Sequence, residues 1–289
     1  MRKITTPLKR HLVPTAMLLL ASAEALAIKW QDNSFSYTFS SQFTEPGITS
    51  KVAKHIVEFV HVNGYQLGHN MLRLKVMRSD GSDPKESGSG GATEFYVVYR
   101  HYISFGALAG KSLGFGPVRD FGLTAGFDIN TKNNAFGPRK RMFVLGPTLM
   151  FDVPKGSMLQ FSLLANKEYN HCGLPSCSAP GNHKDYEFDT YPMLFTAWRF
   201  PVRLGDVSAK FEGFALKGYR QGIDYVGNEV GHEALVRAAW LFDVGQLAGS
   251  SPEHLFAGVG YEYWRNKYGA NGIPGTSTDA PGLQLKWHF

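Results

Sequence analysis

The stretch Ser34-Phe35-Ser36-Tyr37-Thr38-Phe39-Ser40 places an aromatic ring at every second position and a hydroxyl at each position between. Successive side chains of an extended strand leave on opposite faces, so this segment presents one face of rings and one of hydroxyls. Gln42 and Phe43 continue the alternation. The pattern returns further along. Phe121, Leu123, Ala125, Phe127 and Ile129 interleave with Asp120, Thr124 and Asp128, and Leu159, Phe161, Leu163 and Ala165 oppose Gln160, Ser162, Asn166 and Glu168. A strand with carboxylates on one face and an unbroken apolar row on the other needs water on one side and an apolar medium on the other.

Extending this reading predicts strands near 33–43, 55–63, 66–78, 93–105, 115–129, 141–153, 157–169, 188–199, 207–220, 233–245, 254–268 and 281–289, about twelve in all. The connections after the odd-numbered strands are then long, about 11 to 18 residues, and those between are short, about 2 to 9. Longer connections include Ser79–Ala92 with its GSGG, Asn170–Glu187 and Gly269–Ala280.

Composition agrees. The 289 residues are 43% hydrophobic and 13% aromatic with 32 glycines, yet the mean hydropathy is −0.20, as many half-apolar strands joined by polar turns require. Arg2, Lys3, Lys9 and Arg10 precede an apolar run from Leu12 to Ala23 and then Ala25-Leu26-Ala27. That order predicts a secretory leader over 1–27, cut after Ala27, and a mature domain over 28–289. The run is shorter than the roughly 20 apolar residues a spanning helix needs. Half of the net charge of +6 belongs to this leader. The remaining Lys and Arg are dispersed among acidic residues, which argues against a nucleic-acid partner. Cys172 and Cys177 are the only cysteines, five positions apart in a Gly/Pro/Ser-rich segment; in an exported chain they are expected as a loop-closing disulfide, with two free thiols or a metal site as alternatives.

No stretch beyond Ala27 is long and apolar enough for a spanning helix. Hydrocarbon offers no partner to backbone N–H and C=O groups, so spanning strands must close on themselves. The expected fold is therefore an all-β, antiparallel, up-and-down transmembrane barrel of about twelve strands. Trp30, Tyr37, Tyr261, Tyr263 and Trp287 are expected in its interfacial girdles. Ordinary packing between two sheets is the alternative.

Leu283, Leu285, Trp287 and Phe289 alternate with Gln284, Lys286 and His288. This segment resembles the terminal strand through which outer-membrane barrels engage the barrel-assembly machinery. Three further stretches, GPVRDFGLTAGFD over Gly116–Asp128, PRKRMFVLGPTLMFD over Pro138–Asp152 and GVGYEYWRNK over Gly258–Lys267, resemble the Tsx-like family of nucleoside-specific channel-forming outer-membrane proteins, closest to members described as outer-envelope proteins. The resemblance implies a monomeric, narrow barrel in the Gram-negative outer membrane and, for characterised relatives, passive nucleoside uptake.

In this register Glu94, Arg100, Asp120, Asp128, Asn166, Glu168, Lys210, Glu212, Glu233, Arg237, Asp243, Glu262 and Lys286 face the lumen, with Tyr96, Met142, Phe214 and Trp264. Glu94, Arg100, Asp120, Asp128, Glu168, Lys210, Glu212, Arg237, Glu262 and Trp264 are the candidate solute contacts. Charges would bond sugar hydroxyls and base edges, and rings would stack on a base; the plainer role is to fill and stiffen a narrow barrel. Arg139-Lys140-Arg141 could attract anions or lipopolysaccharide phosphates. No G-x-S-x-G or H-E-x-x-H is present, so neither a serine-hydrolase elbow nor a zinc-protease helix is expected. The expected function is diffusion of small polar solutes, nucleosides first, with no cofactor and no enzymatic chemistry. An outer-membrane lipid hydrolase and an adhesive or structural envelope protein are the rivals.

Overall fold

The computed structural model describes residues 27–270 and 272–289. Apart from Ala27, the expected leader lies outside the described residues. Twelve long strands follow one another: β1 (Trp30–Phe43), β2 (Val52–Tyr65), β3 (Gly68–Ser79), β4 (Thr93–Ser104), β5 (Val118–Lys132), β6 (Arg141–Phe151), β7 (Met158–His171), β9 (Tyr191–Leu204), β10 (Val207–Gly218), β13 (Glu233–Asp243), β14 (Leu255–Arg265) and β15 (Thr278–His288). Three short pieces, β8 (Asp185–Glu187), β11 (Gly222–Ile223) and β12 (Glu229–Val230), belong to connections. Each long strand pairs antiparallel with the next, and β15 pairs back onto β1, so the cylinder is closed and has no edge.

The register fixes the two faces. Ser34, Ser36 and Thr38 of β1 stand opposite His288, Lys286 and Gln284 of β15 and face inward. Phe35, Tyr37, Leu283, Leu285 and Trp287 face outward, each more than a third exposed, and Phe289 stacks on both Phe35 and Trp287. The belt continues around the cylinder through Phe95, Ile129, Phe143, Leu145, Phe161, Leu163, Trp240 and Val259. So large an exposed apolar surface suits hydrocarbon, not water.

Four sequence expectations are corrected. Phe43 does not continue the outward aromatic row: the β1–β2 register shifts between Ser40 and Phe43, and the bulge turns the Phe43 ring inward beside Val52 and Ala280. Of the expected girdle residues, Tyr37 lies mid-strand, its hydroxyl satisfied by His55 Nδ1 at 2.6 Å on the neighbouring strand, and Trp30 shares the inward phase of Ser34 and Ser36 and lines the lumen beside Asp32. Connections 105–117 and 244–254, expected to be short, are long. Each opens with a helical turn capped by the last residue of its strand, Ser104 Oγ accepting from Ala107 N (2.9 Å) and Asp243 Oδ1 from Gln246 N (2.9 Å). Conversely, connections 44–51 and 133–140 are shorter than expected because their flanking strands run further out.

The termini and the connections 66–67, 105–117, 152–157, 205–206 and 244–254 mark one end of the barrel; the remaining connections mark the other. These are called the terminal end and the loop end. In the loop-end connection 172–190, Cys172 and Cys177 are joined in a disulfide, Cα to Cα 6.1 Å apart, with both residues fully buried.

Leu145 is 52% exposed near the middle of β6. Leu145→Arg should destabilise the barrel in lipid by about 2 to 4 kcal/mol, read as a lower urea midpoint of folding in vesicles. An unchanged midpoint would mean that this face does not meet hydrocarbon.

Candidate functional site

The lumen is built from the inward positions, and at three levels side chains cross it. At the loop end, connection 44–51 folds into the mouth. Glu45, 5% exposed, accepts from Lys54 of β2 (2.5 Å) and Lys132 of β5 (2.8 Å), and Lys267 stands 3.6 Å away. Lys132 also reaches Asp83 from connection 80–92 at 2.7 Å. Lys267 is 1% exposed, donates to the Thr44 carbonyl at 2.6 Å and lies over the Trp264 ring at 4.7 Å. A turn with left-handed backbone at Asn266, Tyr268 and Gly269 aims Lys267 inward. Such a backbone at two residues that are not glycine costs about 1 to 3 kcal/mol each and persists only where surrounding contacts hold it. Gly275 completes the seat: its φ is +78°, and a Cβ there would fall 1.9 Å from the Glu45 carbonyl oxygen. Three connections thus form a plug held by two carboxylates, Glu45 and Asp83, and three ammonium groups.

Burial alone would raise the Glu45 pKa, but Lys54, Lys267 and Lys132 together hold its carboxyl well below the usual carboxylate range. Across the mouth, burial opposes the charge on Lys140, while Glu168 at 2.8 Å outweighs it and holds the ammonium well above its usual pKa. Tyr191 donates to the same Glu168 at 3.2 Å.

At mid-height Arg100 pairs with Asp128 (2.6 Å), which also accepts from Tyr96 (3.1 Å), and Arg237 pairs with Glu262 (2.6 Å). Glu58 lies between Arg73 (3.3 Å) and Lys75 (3.2 Å). The ring of Phe214 receives two guanidinium groups, Arg73 at 5.7 Å and Arg237 at 5.8 Å. Arg73 is on β3 and Phe214 on β10, diametrically opposite in the closed strand order, so this contact spans the lumen.

Toward the terminal end, Lys286 pairs with Glu212 at 2.5 Å and Lys210 stands 3.8 Å from the same carboxylate. Lys210 bonds His288 (2.7 Å), and His288 bonds Asp32 (2.8 Å). Tyr102 donates to Asp120 at 2.8 Å, and Thr124, Thr148 and Ser162 form a buried hydroxyl chain of 2.6 and 2.7 Å steps.

All ten candidate residues stand on the inward face, but they do not form one site. Glu94, Glu168 and Trp264 belong to the loop end, Arg100, Asp128, Arg237 and Glu262 to the middle, and Asp120, Lys210 and Glu212 to the terminal end. Three pairs among them are joined directly: Arg100 with Asp128, Arg237 with Glu262, and Lys210 with Glu212. Asp243, read as a lumen charge, has its carboxylate turned to backbone amides, those of Gln246 and Glu253, and serves the connection beneath it. Sequence reasoning missed Lys54, Glu58, Arg73, Lys75 and Lys132, which the alternation could have found. It also missed Glu45, Asp83 and Lys267, which lie in connections where alternation carries no information.

With the geometry in place, comparison with known proteins bears on the fold. No family model matches the chain, and no curated protein matches it. Among solved structures, an outer-membrane channel from Pseudomonas putida F1 is similar, with a TM-score of 0.50 and 12% identity, over 92% of this chain and 97% of that one. The chain shares the closed-barrel fold of an outer-membrane channel. The translocator domain of the autotransporter NalP from Neisseria meningitidis matches with a TM-score of 0.47 and 11% identity, over 96% of this chain and 94% of that one. The NanC porin matches with a TM-score of 0.46 and 7% identity, over 88% and 98%.

Glu45→Ala would leave Lys54, Lys132 and Lys267 buried around a missing charge, a loss of about 3 to 5 kcal/mol for comparable buried pairs. Amide exchange in 44–51 and 266–277 should accelerate while exchange in mid-strand stays slow. Unchanged protection in both connections would show that the carboxylate does not hold the plug.

Proposed function

We propose that the chain is an outer-membrane channel for passive diffusion of small polar solutes, with the loop end outside the cell, the termini in the periplasm and the outer mouth closed by the Glu45 plug in this conformation. One observation carries the reading: a closed barrel with an apolar belt outside and paired charges along its whole interior. Charges in this density suit an interior that water and polar solutes can enter, since Lys or Arg turned to lipid would cost about 2 to 4 kcal/mol at the midplane.

Nucleosides are the proposed solutes. The Tsx-like stretches support this, as does a lumen in which Tyr96, Phe214 and Trp264 stand beside Asp128, Arg237 and Glu262, rings for a base and charged groups for sugar hydroxyls. The likeness to solved channels concerns fold alone and adds nothing on substrate. We read the working unit as a monomer inserted through β15 by the assembly machinery, with lipid and lipopolysaccharide around it.

For lipid hydrolysis through a serine or cysteine nucleophile, an outward histidine would need such a side chain in its hydrogen-bond network; outward His55 bonds the Tyr37 phenol. Outward His61 bonds Asn33 and Asn63, and outward His101 bonds Asn70 and the Tyr65 phenol. No serine or cysteine enters this network among the described residues, so the channel reading ranks first.

Reconstituted in planar bilayers, the protein should show low conductance that rises several-fold in Glu45→Ala, and liposome swelling should be faster with nucleosides than with sugars or amino acids of equal size. Equal rates for all solutes of one size would remove the nucleoside assignment, and a variant as silent as the parent would remove the channel. The pH response follows from the sign of the Glu45 shift. A depressed carboxyl pKa gives a contribution that is complete above the unfolded-state value and lost as pH falls through the folded one. Closure should therefore persist from neutrality to about pH 5 and fail only in stronger acid; opening near pH 6 would show that another group controls the plug.

A further inference from the structure

At the terminal end a recess of about 500 Å³ opens inside the barrel, lined among others by Trp30, Asp32, Arg199, Arg203, Lys210 and His288. Its two arginines are less closely matched than the charges deeper in the lumen. Both oxygens of Asp32 are engaged, Oδ1 by His288 at 2.8 Å and Oδ2 by Arg199 at 3.5 Å. The Arg199 contact is long and its side chain is 46% exposed, so most of its N–H groups remain open to the recess. Arg203, inward by its pairing with Ser208, has no carboxylate within salt-bridge distance among the described residues. Lys210, 3% exposed, is held by His288 and by the ring of Phe256 at 3.7 Å, which fixes its charge at the back of the recess. Glu253 on the rim is the second acid, and since Lys210 already faces Glu212 at 3.8 Å, the unmatched donors of the recess are those of Arg199 and Arg203.

We propose that this recess is a binding site for a small oxyanion-bearing solute, a carboxylate or phosphate ester. Two guanidinium groups with free N–H donors match the planar, two-pronged geometry of such groups. Trp30 and Phe256 supply apolar wall for the body of the solute. Such a site at one end of the lumen concentrates anions beside the pore and biases which solutes enter from that side. The placement on a solute's route rests on the channel reading; the binding itself does not.

The test uses the whole mature barrel in detergent, with glucose 6-phosphate and glucuronate as charged probes and glucose as their neutral counterpart. Calorimetry should detect both charged sugars and not glucose, and the double variant Arg199→Gln/Arg203→Gln should weaken binding by about tenfold or more, with heat-modifiable gel mobility confirming that it is folded. Conductance in potassium chloride is recorded separately. Absent binding of both charged sugars with conductance intact would overturn the site and leave the channel. Binding without conductance would uphold the site and overturn the channel. Equal binding of glucose, or an unweakened folded double variant, would overturn recognition of the oxyanion.

Discussion

Everything in this molecule depends on backbone hydrogen bonding in a medium that supplies no partners. A strand in hydrocarbon must give each N–H and C=O to a neighbouring strand, and only closure of β15 onto β1 leaves none unpaired. Once the cylinder is closed, the remaining choices narrow. Each residue faces either lipid or the lumen, and a shift of one residue in any strand would drive a row of rings inward and a row of charges outward. The alternation that opens the sequence at Ser34–Ser40 is the covalent form of that constraint.

The interior answers to a different cost. A twelve-stranded cylinder is narrow, and ions on its inner wall lose much of their water. They recover it by pairing, so the lumen is organised as crossing links: Glu45 among three lysines, Arg73 against Phe214 on the opposite wall, and His288 between Lys210 and Asp32. Groups bonded in this way stiffen the barrel and also obstruct it. In the channel proposed above, a solute moving through would have to exchange its own hydrogen bonds for these.

The loop end shows how such a closure is held. A strained turn at Asn266–Gly269, a glycine at 275 that lets two connections touch, and the Glu45 carboxylate of the second connection meet at one point. The arrangement exists because the barrel wall brings connections 44–51 and 266–277 side by side where β1 meets β15.

The strands, their number and the facing of Glu94, Arg100, Asp128, Lys210, Arg237 and Glu262 were readable from sequence, because period-two alternation is a local property that each strand writes into its own residues. Phe43 shows the limit: a bulge inserts a residue out of phase, and local alternation then points the ring to the wrong face. The connections show it again, since the helical turns at 105–109 and 244–247 lengthen links that strand spacing alone makes short. What sequence could not supply was pairing. That Glu45 meets Lys132 and Lys267, or that Arg199 reaches Asp32 across the lumen, follows from closing a cylinder of fixed circumference. Distances between residues far apart in the chain belong to that closure, and tertiary structure alone decided them.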